Sequence, residues 1–288
     1  MPPASDLPLL CPLCPSPLIL SGNRLACASR HHFDAARQGY FNLLVGKGTP
    51  FEADSAAMVE SRFNFLSGGH YLPLAEAVAG AVVPCLSPSH AAVLDSGTGT
   101  GHYLRHLLDT AAAGNIPVAA VGMDISKFAL RRAARLNPEA LNLVWDIWRR
   151  LPLADNSVDA VTVVFAPRNA PEFARVLRPG GRLVVVTPRP GHLAGIAAIT
   201  GMLAIEDGKD ARLAEGMSGH FDGAGGTDVD IPLALTHQEA ADLAFMGPAG
   251  HHVARDVILE RLAGRPEPVR AEAKFRVQVF RPKDTAPA

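Results

Sequence analysis

From Ala91 onward the chain alternates short, continuous apolar runs with longer amphipathic ones. "AAVLD", "VAAVGMD", "LNLVWD", "VDAVTVVF" and "GRLVVVT" read as buried strands. Two helical patterns separate the first three: "HYLRHLLDTAAAG", closed by Gly114, and "SKFALRRAARLNP", opened by Ser126 as N-cap. This alternation predicts right-handed crossovers and a mostly parallel sheet. "KFRVQVF" near the end alternates polar and apolar residues, as an antiparallel edge or hairpin strand does. Upstream, residues 46 to 88 carry helical spacing broken at Gly68 and Gly69, which predicts two helices, the second ended by Pro84 and Pro88. Residues 1 to 45 lack these long periods and hold three cysteines. The expected organisation is a small cysteine-bearing domain at 1–45, a helical bridge at 46–88 and an α/β domain at 89–288.

Composition narrows this picture. With 288 residues, 48% of them hydrophobic, the chain can bury a sizeable core. Its formal net charge of -1 gives no overall pull toward nucleic acid or an anionic membrane, so any such partner must be met by a local patch. The opening "MPPASDLPLL" has no basic segment ahead of an apolar one, and "GHLAGIAAITGMLAI" holds three glycines and is too short to span a bilayer. A cytoplasmic protein with reduced thiols and a frayed "DTAPA" tail is expected.

Cys11 and Cys14 are spaced C-x-x-C, and Cys27 and His31 follow as C-x-x-x-H. "PSPLILSGNRLA" between the pairs reads as a hairpin turning at "SGN". Two such pairs suit a tetrahedral zinc ion bound by three thiolates and one imidazole, and metal ligation would supply much of the folding energy of so small a unit. His32 is the alternative fourth ligand. His31 is favoured because Phe33 then continues an apolar strand away from the metal. A redox dithiol would open a helix after a strand, whereas this C-x-x-C opens a hairpin. Cys85, alone at an apolar helix end, reads as core.

"VLDSGTGTG" puts Asp95 at a strand end with Gly97, Gly99 and Gly101 behind it, and no phosphate-loop lysine follows. Asp124 ends the second strand, where a carboxylate can take both ribose hydroxyls, with Ile125 beside it in the same cofactor set. Asp146 ends the third, placed to accept from an adenine amino group. Three acids around a glycine loop are the layout of a class I S-adenosylmethionine-dependent methyltransferase: they suit a sulfonium cation and would repel a pyrophosphate. A dinucleotide site is the alternative. The fourth strand ends in "FAPRNAPEF", where an acceptor would lie. Arg168 offers a cation and Asn169 an amide, so both are candidate catalytic residues. Alternatively, Asn169 only caps the helix that starts near Ala170.

Taken together, "CPLC", "CASRHHFDAARQGYFNLL", "GGHYLPL", "VLDSGTGTGHYL", "MDISKFALRRAAR", "FAPRNAPEFARVLRPGG" and "VVTPRPGHL" resemble the RlmA family of 23S rRNA guanine-N1 methyltransferases over nearly the whole chain. "FDAARQGYFNLL" after a zinc knuckle is the most specific of these. "VFAPRN" and "DISKFALRRAAR" place the resemblance nearer the Gram-positive RlmA(II) branch, that of the tylosin-resistance methyltransferases. The resemblance implies a Rossmann-like, mostly parallel seven-stranded sheet with a small N-terminal zinc-binding domain. It implies S-adenosylmethionine and Zn2+ as cofactors. The partner it implies is a hairpin loop in domain II of 23S rRNA, beside the peptide exit tunnel and the macrolide site. Methylation of a guanine N1 there would confer macrolide resistance. The knuckle would grip RNA, Arg168 would stabilise charge on guanine O6, Asn169 would orient the base, and solvent would take the N1 proton. Two positions depart from the family pattern: Ser96 stands where isoleucine is usual, and "MGPAGHH" puts His251 where a tryptophan is expected. A small-molecule methyltransferase with an inherited knuckle, and a non-catalytic RNA-binding protein, stay open as alternatives, as does a homodimer.

Overall fold

The computed structural model describes residues 7–46, 49–202 and 209–283. Residues 1–6 and the "DTAPA" tail lie outside them.

The cysteine segment forms three short antiparallel strands, β1 (Ile19–Ser21), β2 (Arg24–Ala26) and β3 (His32–Asp34). The β1–β2 turn falls at Gly22 and Asn23, as "SGN" predicts, with Gly22 at a φ of 58° that favours glycine. β4 (Tyr40–Asn42) follows, then α1 (Ala56–Ser67) and α2 (Leu72–Val82), which meet at the predicted Gly68–Gly69 break. Ser55 caps α1 by accepting from Met58 N. The α/β region then runs β5 (Ala91–Ser96), α3 (His102–Ala113), β6 (Val118–Asp124), α4 (Lys127–Leu136), β7 (Leu141–Val144), β8 (Val158–Val164), α5 (Ala170–Val176) and β9 (Leu177–Pro188). Ser126 caps α4 from its predicted place, accepting from Ala129 N. The chain continues with α6 (Ala194–Thr200), α7 (Lys209–Met217), β10 (Phe221–Leu235), α8 (His237–Phe245), α9 (Arg255–Leu262) and β11 (Val269–Pro282).

Among the described residues the large sheet has eight strands, in the order β10-β11-β9-β8-β5-β6-β7-β4. From β4 to β9 every pair is parallel, and β11 is antiparallel to both β9 and β10. This is the class I methyltransferase sheet, with one strand more than the seven expected. The eighth is β4: Tyr40–Asn42, assigned from sequence to the cysteine domain, pair in parallel with Asn142–Val144. Tyr40, Phe41 and Leu43 are buried, and burying this apolar run at the sheet edge removes more surface from water than a small ribbon could offer. β11 is likewise not an edge. β10 covers it along almost its whole length, although "FDGAGGTDVD" is too rich in glycine and aspartate to read as a strand.

The ribbon has no core separate from the rest. Leu7, Leu9, Leu25 and Phe33 join Leu94, Met123, Leu143 and Val161 in one cluster on one face of the sheet. Leu9 also bridges Leu153, with Leu10 N donating to Pro152 O at 3.0 Å. The other face is covered by α2, α6, α8 and α9, whose residues pack on Val93, Ala160, Val184 and Val186. No helix among the described residues is long and apolar enough to cross a membrane.

Candidate active site

The turn from Cys27 to His31 is tight: Arg30 N donates to Cys27 O and Cys27 N to His31 O, both at 3.0 Å, with Arg30 at a φ of 67°. This brings His31 back toward the C-x-x-C turn. The ligand atoms of Cys11, Cys14, Cys27 and His31 all lie within 4.8 Å of one another. Three edges of the cluster measure 3.5 Å (Cys11 Sγ to His31 Nδ1), 3.6 Å (Cys27 Sγ to His31 Nδ1) and 3.7 Å (Cys14 Sγ to Cys27 Sγ). Zn–S bonds of about 2.3 Å and Zn–N bonds of about 2.0 Å place tetrahedral ligands about 3.5–3.8 Å apart, so these four residues fit zinc. His32 is exposed, with its Nδ1 3.4 Å from Arg30 O, outside the cluster. Hydrogen bonds from Ser16 hold the Cys14 thiol down at about 5, while burial raises that of Cys11. Cys85 packs against the other core, its thiol raised to about 11 by burial.

The glycine loop joins β5 to α3. Its three glycines have different causes. A Cβ on Gly97 (φ 76°) would lie 2.2 Å from Ala166 Cβ, so glycine here lets the loop touch the "FAPRN" turn. A Cβ on Gly101 (φ 85°) would meet Asn137 Nδ2 at 2.5 Å, which is a packing reason: α3 starts against the end of α4. Gly99 faces the side chain of Arg62, and its N–H donates to Asp124 Oδ2 at 2.9 Å. Asp124 Oδ1 accepts from Ser126 N at 2.8 Å. Burial nevertheless raises the Asp124 carboxyl, against the pull of those two N–H groups. Asp95 is buried and raised for the same reason, and Thr162 Oγ1 donates to its Oδ1 at 2.7 Å. Its Oδ2, Ser96 Oγ and Tyr103 Oη are buried without a hydrogen-bond partner among the described residues. Buried polar atoms without partners are rare, and three of them around one glycine loop fit a polar ligand. Ile125 is half-buried next to Asp124.

Asp146 is more committed than the sequence implied. Its Oδ2 accepts from Thr49 Oγ1 at 2.9 Å and its Oδ1 from Trp148 N at 3.0 Å, which leaves one lone pair on each oxygen for an adenine amino group.

Several residues over the loop were not singled out from sequence. Asp54 pairs with Arg62 and lies 3.7 Å from His251 Nε2, while Arg62 Nη2 donates to Met246 O at 2.6 Å. The helical bridge and the segment after α8 thus close together over Gly99, and the departing position His251 belongs to that cover.

On the acceptor side, Asn169 does not cap α5 with its side chain. Its Nδ2 donates instead to Ile147 O at 2.6 Å, and its Oδ1 has no partner among the described residues. Arg168 is half-buried with no partner among the described residues, and burial lowers its affinity for its proton. Both line an open cleft of about 380 Å3 with Trp148, Arg212 and Met217. Phe165, at the end of β8, was also missed. It holds a left-handed φ of 55° although it is bulky, a strained state that clusters at functional sites, and it is 47% exposed beside the rings of Tyr103 and Phe275.

A family model described as RlmA, N-terminal, a zinc ribbon, matches residues 9–46, and a methyltransferase-domain model matches residues 93–181. The chain is 41% identical over 261 residues to the 23S rRNA (guanine(748)-N(1))-methyltransferase of Streptomyces fradiae, covering 90% of this chain and 91% of that one. It is 42% identical over 292 residues to a Micromonospora griseorubida protein named for the same rRNA guanine-N(1) activity, covering 95% and 97%. Among solved structures, a chain of the Haloferax volcanii complex between the Trm112 activator and a methyltransferase aligns with a TM-score of 0.53 at 20% identity, over 80% of this chain and 99% of that one, a likeness of fold.

Proposed function

The chain belongs to the RlmA family of 23S rRNA guanine-N1 methyltransferases, and from that membership and the site's geometry we infer that it methylates N1 of a guanine in a hairpin loop of domain II of 23S rRNA. The observation that carries this reading is the contact of Gly97 with Ala166, which leaves no room for a Cβ and sets the donor loop directly against the turn bearing Arg168 and Asn169. The protein would work in the cytoplasm, where ribosomal RNA is found, and macrolide tolerance of the host would rise with methylation.

S-adenosylmethionine supplies, when bound, an electrophilic methyl group on a sulfonium centre. Asp124 would hold its ribose, Asp146 its adenine amino group, and Gly97 and Gly99 give the backbone room to approach it; Asp95 adds negative charge near the sulfonium. The target base must leave its loop stack to reach this pocket. The exposed ring of Phe165 would stack on the extruded guanine. As N1 gives up its proton to solvent, negative charge spreads onto O6; it is discharged as N1 takes the methyl group and the sulfur keeps the electron pair of the broken C–S bond. The half-buried guanidinium of Arg168, without a partner among the described residues, would stabilise that charge. Asn169 Oδ1, without a partner among the described residues, would accept from the exocyclic amine.

Asp124→Ala should leave the fold intact and weaken donor binding tenfold to a hundredfold, since a charge-assisted hydrogen bond is worth roughly 1.5–3 kcal/mol. Calorimetric titration with S-adenosylhomocysteine measures this, and unchanged affinity would place the ribose elsewhere. A pH effect follows from the same carboxyl. Because burial raises it, Asp124 in the free protein keeps its proton to higher pH than an ordinary carboxyl. Donor binding needs the ionised form, so affinity should fall on acidification, and the donor-induced rise in Tm should begin to shrink at a pH above the usual carboxylate range. A shift independent of pH would remove Asp124 from the donor contact.

The function itself is tested by incubating the protein with methyl-labelled donor and protein-free 23S rRNA, with small-molecule acceptors in parallel. Label in the rRNA supports the reading. Label only in a small molecule would favour natural-product methylation.

A further inference from the structure

A chain of net charge -1 that acts on rRNA must concentrate its cations somewhere. Helix α4, KFALRRAARL, carries four cations and no acid in ten residues. Ala129, Leu130, Ala133 and Ala134 form its buried face. Lys127, Arg131 and Arg135 stand exposed on the opposite one, at i, i+4 and i+8. None of the three has an ion-pair partner among the described residues. Arg132, on the flank, is already occupied by the Phe63 ring, with its guanidinium 4.8 Å from the ring centroid.

This pattern works against the helix. Like charges at i, i+4 repel one another. Lys127 sits in the first turn, where the helix dipole favours acids, and the first turn holds none. The exposed ring of Phe128 lies under Arg131, with 5.3 Å from guanidinium to centroid. The row continues past the helix. Ala36 and Tyr40 pack on Leu130, Ala133 and Ala134, and a Cβ on Gly39 would sit 3.9 Å from Ala134 Cβ, so the β3–β4 turn with exposed Arg37 lies against α4. The stripe from Lys127 to Arg135 is about 12 Å long at the helical rise. It starts three residues after Asp124, at the edge of the donor pocket.

We propose that the exposed face of α4, extended by Arg37 of the ribbon, is the track that holds the phosphate backbone of the RNA stem beneath the target loop. It rests on the rRNA reading above and says where that RNA lies. The stripe joins ribbon to donor pocket, so a stem lying along it puts its loop over Phe165 and Arg168. The polyanionic backbone is the occupant the charge pattern selects, since unpaired arginines spaced along a line match phosphates and need no base sequence.

The test compares wild type with the triple variant Lys127→Ala, Arg131→Ala, Arg135→Ala. The affinity of each for a domain II hairpin transcript is measured by fluorescence anisotropy across a salt series. Each lost phosphate contact should lower the log–log salt slope by about one, so the variant's slope should fall by about two to three, with affinity at low salt down tenfold or more. Donor affinity and Tm should hold, because alanine keeps the helix and none of the three side chains touches the donor site. Arg131→Lys should restore most of its share of the slope. If the wild type methylates the transcript and the variant keeps its slope and affinity, this inference is overturned alone, leaving an acidic protein surface as the occupant to examine. If the wild type neither binds nor methylates the transcript, the rRNA reading falls and the track falls with it.

Discussion

Replacing Cys27 with serine is expected to remove zinc from the protein and abolish methyl transfer to rRNA, while donor binding survives. Cys27 is buried, and its Sγ is within 3.7 Å of both Cys14 Sγ and His31 Nδ1. Structural zinc contributes on the order of 10 kcal/mol or more to a ribbon's folding, far beyond what three three-residue strands could replace. The ribbon's Leu7, Leu9, Leu25 and Phe33 are also part of the core on one face of the large sheet, so its loss would loosen that face. The donor residues Asp95, Gly97, Gly99 and Asp124 come from β5, β6 and the loop between β5 and α3, on chain beyond the ribbon. Metal analysis should give one zinc per chain for the wild type and none for Cys27→Ser, and calorimetry should still detect donor binding by both. His31→Cys in the wild type, which keeps four ligands as a four-cysteine set, should keep its zinc. Zinc-free protein with full activity on rRNA would contradict the account.

Arg168→Ala should separate catalysis from cofactor binding. A half-buried cation with no partner among the described residues is unfavourable in the free protein, and burial already weakens its hold on its proton. Such an arrangement is maintained where charge will arrive. If O6 of the guanine is that charge, loss of Arg168 should lower the single-turnover methyl-transfer rate by on the order of a hundredfold with donor affinity unchanged. Arg168→Lys should recover part of the rate, because the charge returns without the planar fork. Equal losses in rate and donor affinity would place Arg168 in the cofactor pocket instead.

Much of this was legible in the chain because local signals and long-range packing agree. Ser126 reads as a cap and is one. The five buried strands from Ala91 to Thr187 lie within β5 to β9, or within a residue or two of them, since both sheet faces are covered and the runs are continuous. What was not legible depends on partners distant in sequence. Tyr40–Asn42 become a sheet strand only because Asn142–Val144 offers a free edge. Phe221–Leu235 becomes one because β11 pairs with it across its glycines. Asn169 reads as a helix cap until Ile147 O is seen to take its amide. The cover made by Asp54, Arg62, Met246 and His251 draws on two stretches far apart in the chain, and no spacing announces it. The strain at Phe165 is a backbone property without a sequence signature.

The most direct test of the central claim is the nucleoside formed. Wild-type protein, S-adenosylmethionine and a domain II hairpin transcript are incubated, the RNA is digested to nucleosides, and the products are resolved by mass and compared with standards. A second aliquot is read by primer extension, which an N1-methyl group halts by blocking the base-pairing edge. The account predicts N1-methylguanosine and a single stop in the loop, both strongly reduced at short incubation times with Arg168→Ala. Methylation at another atom or base, or an unmodified transcript, would contradict it.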